Sequence, residues 1–277
     1  MPEGDTVFLT GRRLDAALAG RVLVRGELRH PALSAVDLAG RAVVGADSVG
    51  KHLFVRFDDG RSLHSHLRMD GSWRLHGPGE RWRRPAHEVR AVLANQDRVA
   101  VGFLLHDLAL LPTGEESSLV GHLGPDLLGR TWGEADRREA ERRLAAHPGR
   151  AVGEALLDQR VMAGVGNLYQ CEICFLLRVS PWTRVADVDP AATVDLARRL
   201  LAANAWRWEQ STTGSLRRDQ RHWVYRRAGL ACARCGTAIR RGTLGVGVQA
   251  RTVYHCPRCQ PAPEGAPGHS APAGAEG

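Results

Sequence analysis

The sequence predicts a multidomain α+β chain: an N-terminal β-sandwich with a leading helix, then a helical domain, then a four-cysteine β-ribbon. Three observations carry that expectation. From Arg21 to about Leu105 apolar residues recur at period two, with turn signals at short intervals. After Gly124-Pro125 the pattern turns helical. Near the C-terminus Cys232-x2-Cys235 and Cys256-x2-Cys259 stand twenty residues apart.

In chain order, Asp5 is suited to cap a helix from about Thr6 to Ala19, with Val7, Gly11, Leu14 and Leu18 on one face and Gly20 as its stop. Leu53, Val55 and Phe57, then Asp58-Asp59-Gly60, then Leu63, Ser65 and Leu67 read as a hairpin. Further strands are expected over 21–28, 41–47, 72–76, 88–95 and 98–105. Many short strands at this spacing favour a sandwich. Pro112 to Glu116 reads as a loop. Helices follow over Glu134–Ala146, Val152–Val161, from Asn167 to about Leu177, and over Pro190–Trp208. Ala238–Arg241 and Val248–Tyr254 are the expected ribbon strands. Residues 261–277, rich in Pro, Gly and Ala without large apolar side chains, should be disordered. The expected divisions are 1–125, 126–227, 228–260 and the tail 261–277.

At 277 residues the chain is long enough for two modest cores. Its net charge of +8 is uneven, +1 over residues 1–125 and +7 over 126–277. Between Arg198 and Arg258 thirteen arginines face only Glu209 and Asp219. Such a basic back half suits a polyanion, and nucleic acid rather than membrane, because no amphipathic basic helix with an aromatic face appears. No apolar run reaches membrane-spanning length, and no signal peptide is visible. Paired cysteines in a chain of this size indicate metal ligation in a reducing compartment, with cytoplasm the default.

Four thiolates in two knuckles match a closed tetrahedral Zn²⁺ site, one structural ion per chain, with Cys232, Cys235, Cys256 and Cys259 as ligands. Cys171 and Cys174 share the spacing but lie in an apolar helix, where buried thiols act as small hydrophobes. Gly164-Val165-Gly166-Asn167 reads equally as a corner between core helices and as a helix start offering N–H groups to an anion. His64 and His66 on one strand read as structural. Trp206, Trp208 and Trp223 lie among arginines and suit either base stacking or packing at a helix end.

The first residues offer chemistry of their own. With Met1 removed, Pro2 becomes a terminal secondary amine titrating near about pH 8, partly unprotonated and nucleophilic at neutrality. Attack on a sugar C1′ gives an iminium, an electron sink, and Glu3 beside it can move protons. An ordinary solvated terminus is the other reading of these residues. Lys51, the single lysine among 38 basic residues, opens the hairpin.

Pro2-Glu3, a lone lysine before a hairpin, a helix–Gly-x-Gly-Asn–helix unit and a four-cysteine ribbon, in this order, resemble the formamidopyrimidine-DNA glycosylase/endonuclease VIII family over residues 2 to about 260. Met1-Pro2-Glu3-Gly4 looks more like its endonuclease VIII branch. The resemblance implies a helix-two-turns-helix DNA-binding unit, Pro2 as nucleophile, Glu3 as the proton-transfer carboxylate and Lys51 on a phosphate beside the lesion. It implies Asn167 and Arg251 as further phosphate ligands, and Met69 as the apolar side chain filling the stack behind a flipped nucleotide. Damaged double-stranded DNA and abasic-site DNA are the implied partners, acted on by a monomer in the nucleoid through base excision and β,δ-elimination.

Three departures from the family pattern bear on substrate. Thr6 stands where a second glutamate is usual, leaving the neighbouring Asp5 as a weak substitute. The region His106 to Leu110 lacks the arginine-x-phenylalanine of the 8-oxoguanine branch, and the stretch Thr213 to Trp223 is short for the loop that caps 8-oxoguanine. The last two favour oxidised pyrimidines. An AP lyase without base excision, and a non-catalytic damage-binding protein, are the alternatives.

Overall fold

A computed structural model describes residues 2–247 and 250–263 of the chain. Met1, Val248, Gln249 and residues 264–277 lie outside the described residues, and with them the expected removal of Met1 and most of the tail expected to be disordered. The chain forms two compact units that divide between Leu123 and Gly124. Among the described residues no helix is long and apolar enough to cross a membrane.

The first unit opens with α1 (Gly4–Leu18). It starts two residues earlier than the sequence suggests. Glu3, not Asp5, occupies the N-cap position, and Asp5 sits inside the first turn, buried. Strands β1 (Arg25–Leu28), β2 (Val43–Val49), β3 (His52–Phe57), β4 (Arg61–His66), β5 (Ser72–His76), β6 (Val89–Ala94), β7 (Val99–Phe103) and β8 (Asp107–Pro112) follow. They form two four-stranded sheets ordered β1-β6-β7-β5 and β2-β3-β4-β8, with antiparallel pairing throughout. Leu18, Leu23, Leu53, Val55, Leu63, Leu93, Trp73 and Leu105 share one core with the helix.

Two departures have local causes. The strand expected over 98–105 stops at Phe103, because Leu104 turns the backbone to φ 49°, and β8 begins afresh at Asp107. β8 was not anticipated: as an edge strand paired only to β4 it is mostly half-buried and shows little alternation. After it comes a short α2 (Ser117–Val120).

The second unit holds α3 (Glu134–Ala145), α4 (Val152–Leu157), α5 (Asn167–Leu177) and α6 (Pro190–Asn204), then the ribbon β9 (Arg240–Leu244) and β10 (Arg251–His255). The ribbon strands sit farther along than expected, with Gly242 inside β9. A Cβ on Gly242 would lie 2.5 Å from the Trp182 ring, so only glycine allows that indole to lie against the strand. Trp182 Nε1 also donates to the Thr243 carbonyl at 3.2 Å, and Gln260 Nε2 to that of Val179 at 2.9 Å. Leu244, Val253, Cys232 and Cys256 join Tyr169, Ile173 and Phe175 in a single core. The ribbon is therefore packed into the helical unit rather than appended to it.

Candidate active site

Glu3 is fully buried at the N-terminus of α1, with Pro2 half-buried ahead of it. Fixed N–H dipoles at a helix start favour a carboxylate. Asp5 is also buried, and Thr6 Oγ1 lies 3.5 Å from its Oδ1. Two acidic side chains withdrawn from water in three residues are costly unless held by polar neighbours or used.

The position of Lys51 follows from how α1 lies on β2. The Ala46 N–H donates to Asp15 Oδ1 at 2.9 Å. One turn earlier, a Cβ at Gly11 would sit 3.1 Å from Leu53 Cδ1 and 3.4 Å from the Asp47 carbonyl carbon. Four helix residues climb about 6 Å and two strand residues about 6.7 Å, so helix and strand run in step. Continued for two more turns, that step carries the start of α1 to the Gly50–Lys51 turn. Pro2, Glu3 and Lys51 thus belong to the same end of the unit. A cavity of about 650 Å³ along β1 and the segment after it, lined by Arg25, Glu27 and Arg29 among others, includes none of them.

Beside Lys51 runs a row of imidazoles. His52 Nδ1 lies 2.9 Å from His64 Nε2, with the rings stacked at 5.1 Å, and His66 meets His52 edge-on at 5.3 Å. Burial, and then the neighbouring imidazoles, pushes His52 down to about 3. Burial, then the Arg68 charge, pushes His66 down to about 4. Burial also lowers His64, so all three imidazoles are biased toward the neutral form. Among the described residues these histidines are not part of a group that could hold a metal ion. Met69 stands 66% exposed on the turn after β4.

In the second unit Asn167 is the first residue of α5, behind an N-cap glycine without a side-chain cap. Its Nδ2 donates to the Thr252 carbonyl at 2.8 Å, tying the helix start to β10, while its Oδ1 is buried without a partner. Arg251 opens β10, exposed, its Nη1 donating to the Ala250 carbonyl at 3.0 Å. Asn167 and Arg251 are thus brought to one end of the ribbon. Cys171 and Cys174 are buried, and burial pushes the Cys174 thiol up to about 12. The tryptophans divide. Trp223 stacks on Phe175 at 5.6 Å, whereas Trp206 and Trp208 are exposed.

Cys232, Cys235, Cys256 and Cys259 bring their sulfurs within 4.8 Å of one another, with Cys235 and Cys256 at 3.4 Å. Four ligands at 2.3 Å from a tetrahedral ion would stand about 3.8 Å apart, so the cluster fits a closed metal site. These four could hold a metal ion, and no fifth donor is needed.

Glu172 went unnoticed in the sequence. Fully buried, it accepts the backbone N–H groups of Trp223, Val224 and Tyr225 at 2.8, 2.9 and 2.8 Å, together with the Thr212 hydroxyl. The signal was present: a carboxylate amid Cys, Ile and Phe on an apolar helix requires fixed donors.

Against known proteins, the N-terminal domain model of formamidopyrimidine-DNA glycosylase matches residues 1–103. A Streptomyces coelicolor protein named "Probable endonuclease 8 2" is 51% identical over 97% of both chains. A Mycolicibacterium smegmatis protein named "DNA-(apurinic or apyrimidinic site) lyase Nei2" is 46% identical over 95% of this chain and all of its own. In structure, the Lactococcus lactis Fpg in complex with abasic-site DNA aligns over 94% of this chain and all of that one, with a TM-score of 0.76 at 22% identity. The class these define is the DNA glycosylases with AP-lyase activity. Within it, the chain belongs to the formamidopyrimidine-DNA glycosylase/endonuclease VIII family, and several of its full-length relatives carry endonuclease 8 names.

Proposed function

We propose that the chain is a bifunctional enzyme of base-excision repair that removes oxidised pyrimidines from duplex DNA and then cuts the strand by β,δ-elimination. The observation that carries this is a half-buried Pro2 immediately ahead of a fully buried Glu3 at the start of α1. With Met1 removed, the Pro2 nitrogen forms a bond to C1′ as the glycosidic bond breaks. The base leaves with a proton, and the nitrogen sheds its own to become a neutral amine. Ring opening, in which O4′ takes up a proton as its bond to C1′ breaks, converts that amine to an iminium. Glu3 is the group we assign to move protons at this sugar. Loss of a C2′ proton expels the 3′ phosphate, a second elimination expels the 5′ phosphate, and hydrolysis frees Pro2.

Lys51, Asn167 and Arg251 are assigned to phosphates, Met69 to the vacated stack, and Asp5 to a secondary acidic role. Zn²⁺ is the ion we assign to the four cysteines, because four thiolates and no open position suit a structural site. It would hold Cys232 and Cys256 in the core and supply no step of the reaction. We take the working species to be a monomer.

Borohydride trapping on an abasic oligonucleotide, with mass mapping of the adduct, tests the assignment. Lys51 carries the only side-chain amine, so the outcome is unambiguous. An adduct on Pro2 is expected. An adduct on Lys51 would overturn the roles, and retained binding without any adduct would leave a damage-binding protein.

A second reading, an AP lyase with little base excision, is favoured by Thr6, whose hydroxyl approaches the buried Asp5 where a glutamate is usual. Incision at an abasic site without release of an oxidised pyrimidine would select it.

A further inference from the structure

Met69 is a large apolar side chain held out in solvent on the turn between β4 and β5. A flexible thioether on a loose turn would lose much conformational freedom on entering a base stack. This turn is not loose. Arg68 holds the backbone at φ 49°, the left-handed region where a side chain costs energy, and Leu104 on the β7–β8 turn does the same at φ 49°.

The two turns touch backbone to backbone. The Gly71 N–H donates to the Leu67 carbonyl at 2.9 Å, and a Cβ at Gly71 would stand 2.6 Å from that oxygen and 3.0 Å from the Leu104 oxygen. Side chains then cross between them on either side of Met69. The Arg68 guanidinium pairs with Asp107, and the Asp70 carboxylate lies 3.3 Å from His106 Nε2. Within the first turn, the Arg68 N–H donates to His66 Nδ1 at 3.1 Å, a bond that requires the neutral imidazole.

Exposed pairs of this kind contribute little to stability one at a time. Two that straddle one residue, on a backbone kept in an unfavourable conformation, do something more specific: they fix where that residue points. We propose that Arg68–Asp107 and Asp70–His106 form a clasp joining the two turns and presenting Met69 as a preformed wedge. The four are positioning residues for eversion of the damaged nucleotide, and the proposal rests on the reading of Met69 as the stack-filling side chain. Because the turn is ordered before DNA arrives, the ordering cost is not met during insertion. The clasp therefore acts on the rate of eversion, not on affinity for intact duplex.

Stopped-flow fluorescence of 2-aminopurine beside a tetrahydrofuran abasic analogue in duplex DNA reads that step. The double variant Asp70→Asn with Asp107→Asn should slow the rise roughly fivefold. Its affinity for undamaged duplex and its cleavage of a single-stranded abasic oligonucleotide, where no stack must be opened, should stay unchanged. Asp107→Glu, which keeps the charge, should rise faster than Asp107→Asn. Met69→Ala should lose the rise. If the double variant rises at the unmodified rate while Met69→Ala does not, the clasp is wrong and the wedge stands. If Met69→Ala rises normally, both fall. A double variant equally slow on the single strand would show a general structural defect and would also overturn the clasp. Should that variant not fold, Asp70→Asn alone supplies the same comparison.

Discussion

Residue by residue, what could be read from the sequence depended on whether the chemistry is local. The two cysteine knuckles are short spacings, and their gathering into one cluster follows from spacing alone, whereas Pro2-Glu3 takes its reading from the family resemblance. Glu172 and the imidazole row depend on who lies across a sheet or a loop. His52 pairs with His66 in register and reaches His64 diagonally, which no single strand reveals. That row has a consequence for acid stability. Both His52 and His66 have folded-state pKa values depressed, to about 3 and about 4, below the ordinary value of 6.5. A depressed histidine favours the folded state fully above its unfolded pKa. As pH falls below about 6.5 the unfolded chain takes up protons that the folded chain refuses, and stability is lost until the folded pKa is reached. Thermal midpoints should fall between pH 6.5 and pH 4, and less steeply in a His52→Asn variant. Equal slopes for the two proteins would mean that His52 is not held neutral by burial.

At the scale of elements, helix starts were read better than helix ends. α6 begins at Pro190, as expected, and the structure supplies the reason: Asp189 Oδ1 accepts the Ala191 and Ala192 N–H groups at 2.9 and 3.3 Å, and proline fills the first helical position. Its end was expected at about Trp208. It stops at Asn204 instead. The buried Asn204 amide donates to the Leu200 and Ser211 carbonyls at 2.8 and 3.0 Å and accepts the Ser211 N–H at 2.8 Å, turning the chain back and leaving Trp206 outside. α4 ends early for a similar reason. Asp158, held well below the usual carboxylate range first by Arg160 and then by Arg150, accepts the Arg160 N–H and closes the segment as a turn. Asp189→Ala should cost about 1 kcal/mol of stability, measurable as a denaturation midpoint shift. Gly242→Ala tests a different junction, since its methyl has no room beside Trp182. We expect a loss of about 1–3 kcal/mol, as for overpacking, with a change in tryptophan fluorescence. An unperturbed Trp182 would mean that ribbon and helices can slide apart without cost.

Across the whole molecule, charge and core are divided alike. The nearly neutral first unit carries Pro2, Glu3 and Lys51, and the basic second unit carries Asn167, Arg251 and the cysteines. The change to helical periodicity after Gly124-Pro125 lies beside the point where the chain divides into two units. The fusion of ribbon and helices was not readable in the sequence, because it depends on Trp182 meeting a glycine sixty residues away. That fusion decides what metal removal should do. Cys232 and Cys256 are buried members of the second unit's core, so four uncompensated thiols there loosen the helices as well as the ribbon. The first unit has a separate core. Chelation under reducing conditions should therefore lower one thermal transition and leave another in place, while DNA affinity falls as Arg251 and Asn167 lose their common frame. Arg251→Ala with metal retained should act more narrowly, weakening binding across sequences and reducing the slope of log affinity against log salt by about 1. Demetallated protein that binds as tightly as before would exclude the ribbon from the grip. A salt slope unchanged in Arg251→Ala would instead leave the ribbon in the grip and take this one guanidinium off the phosphates.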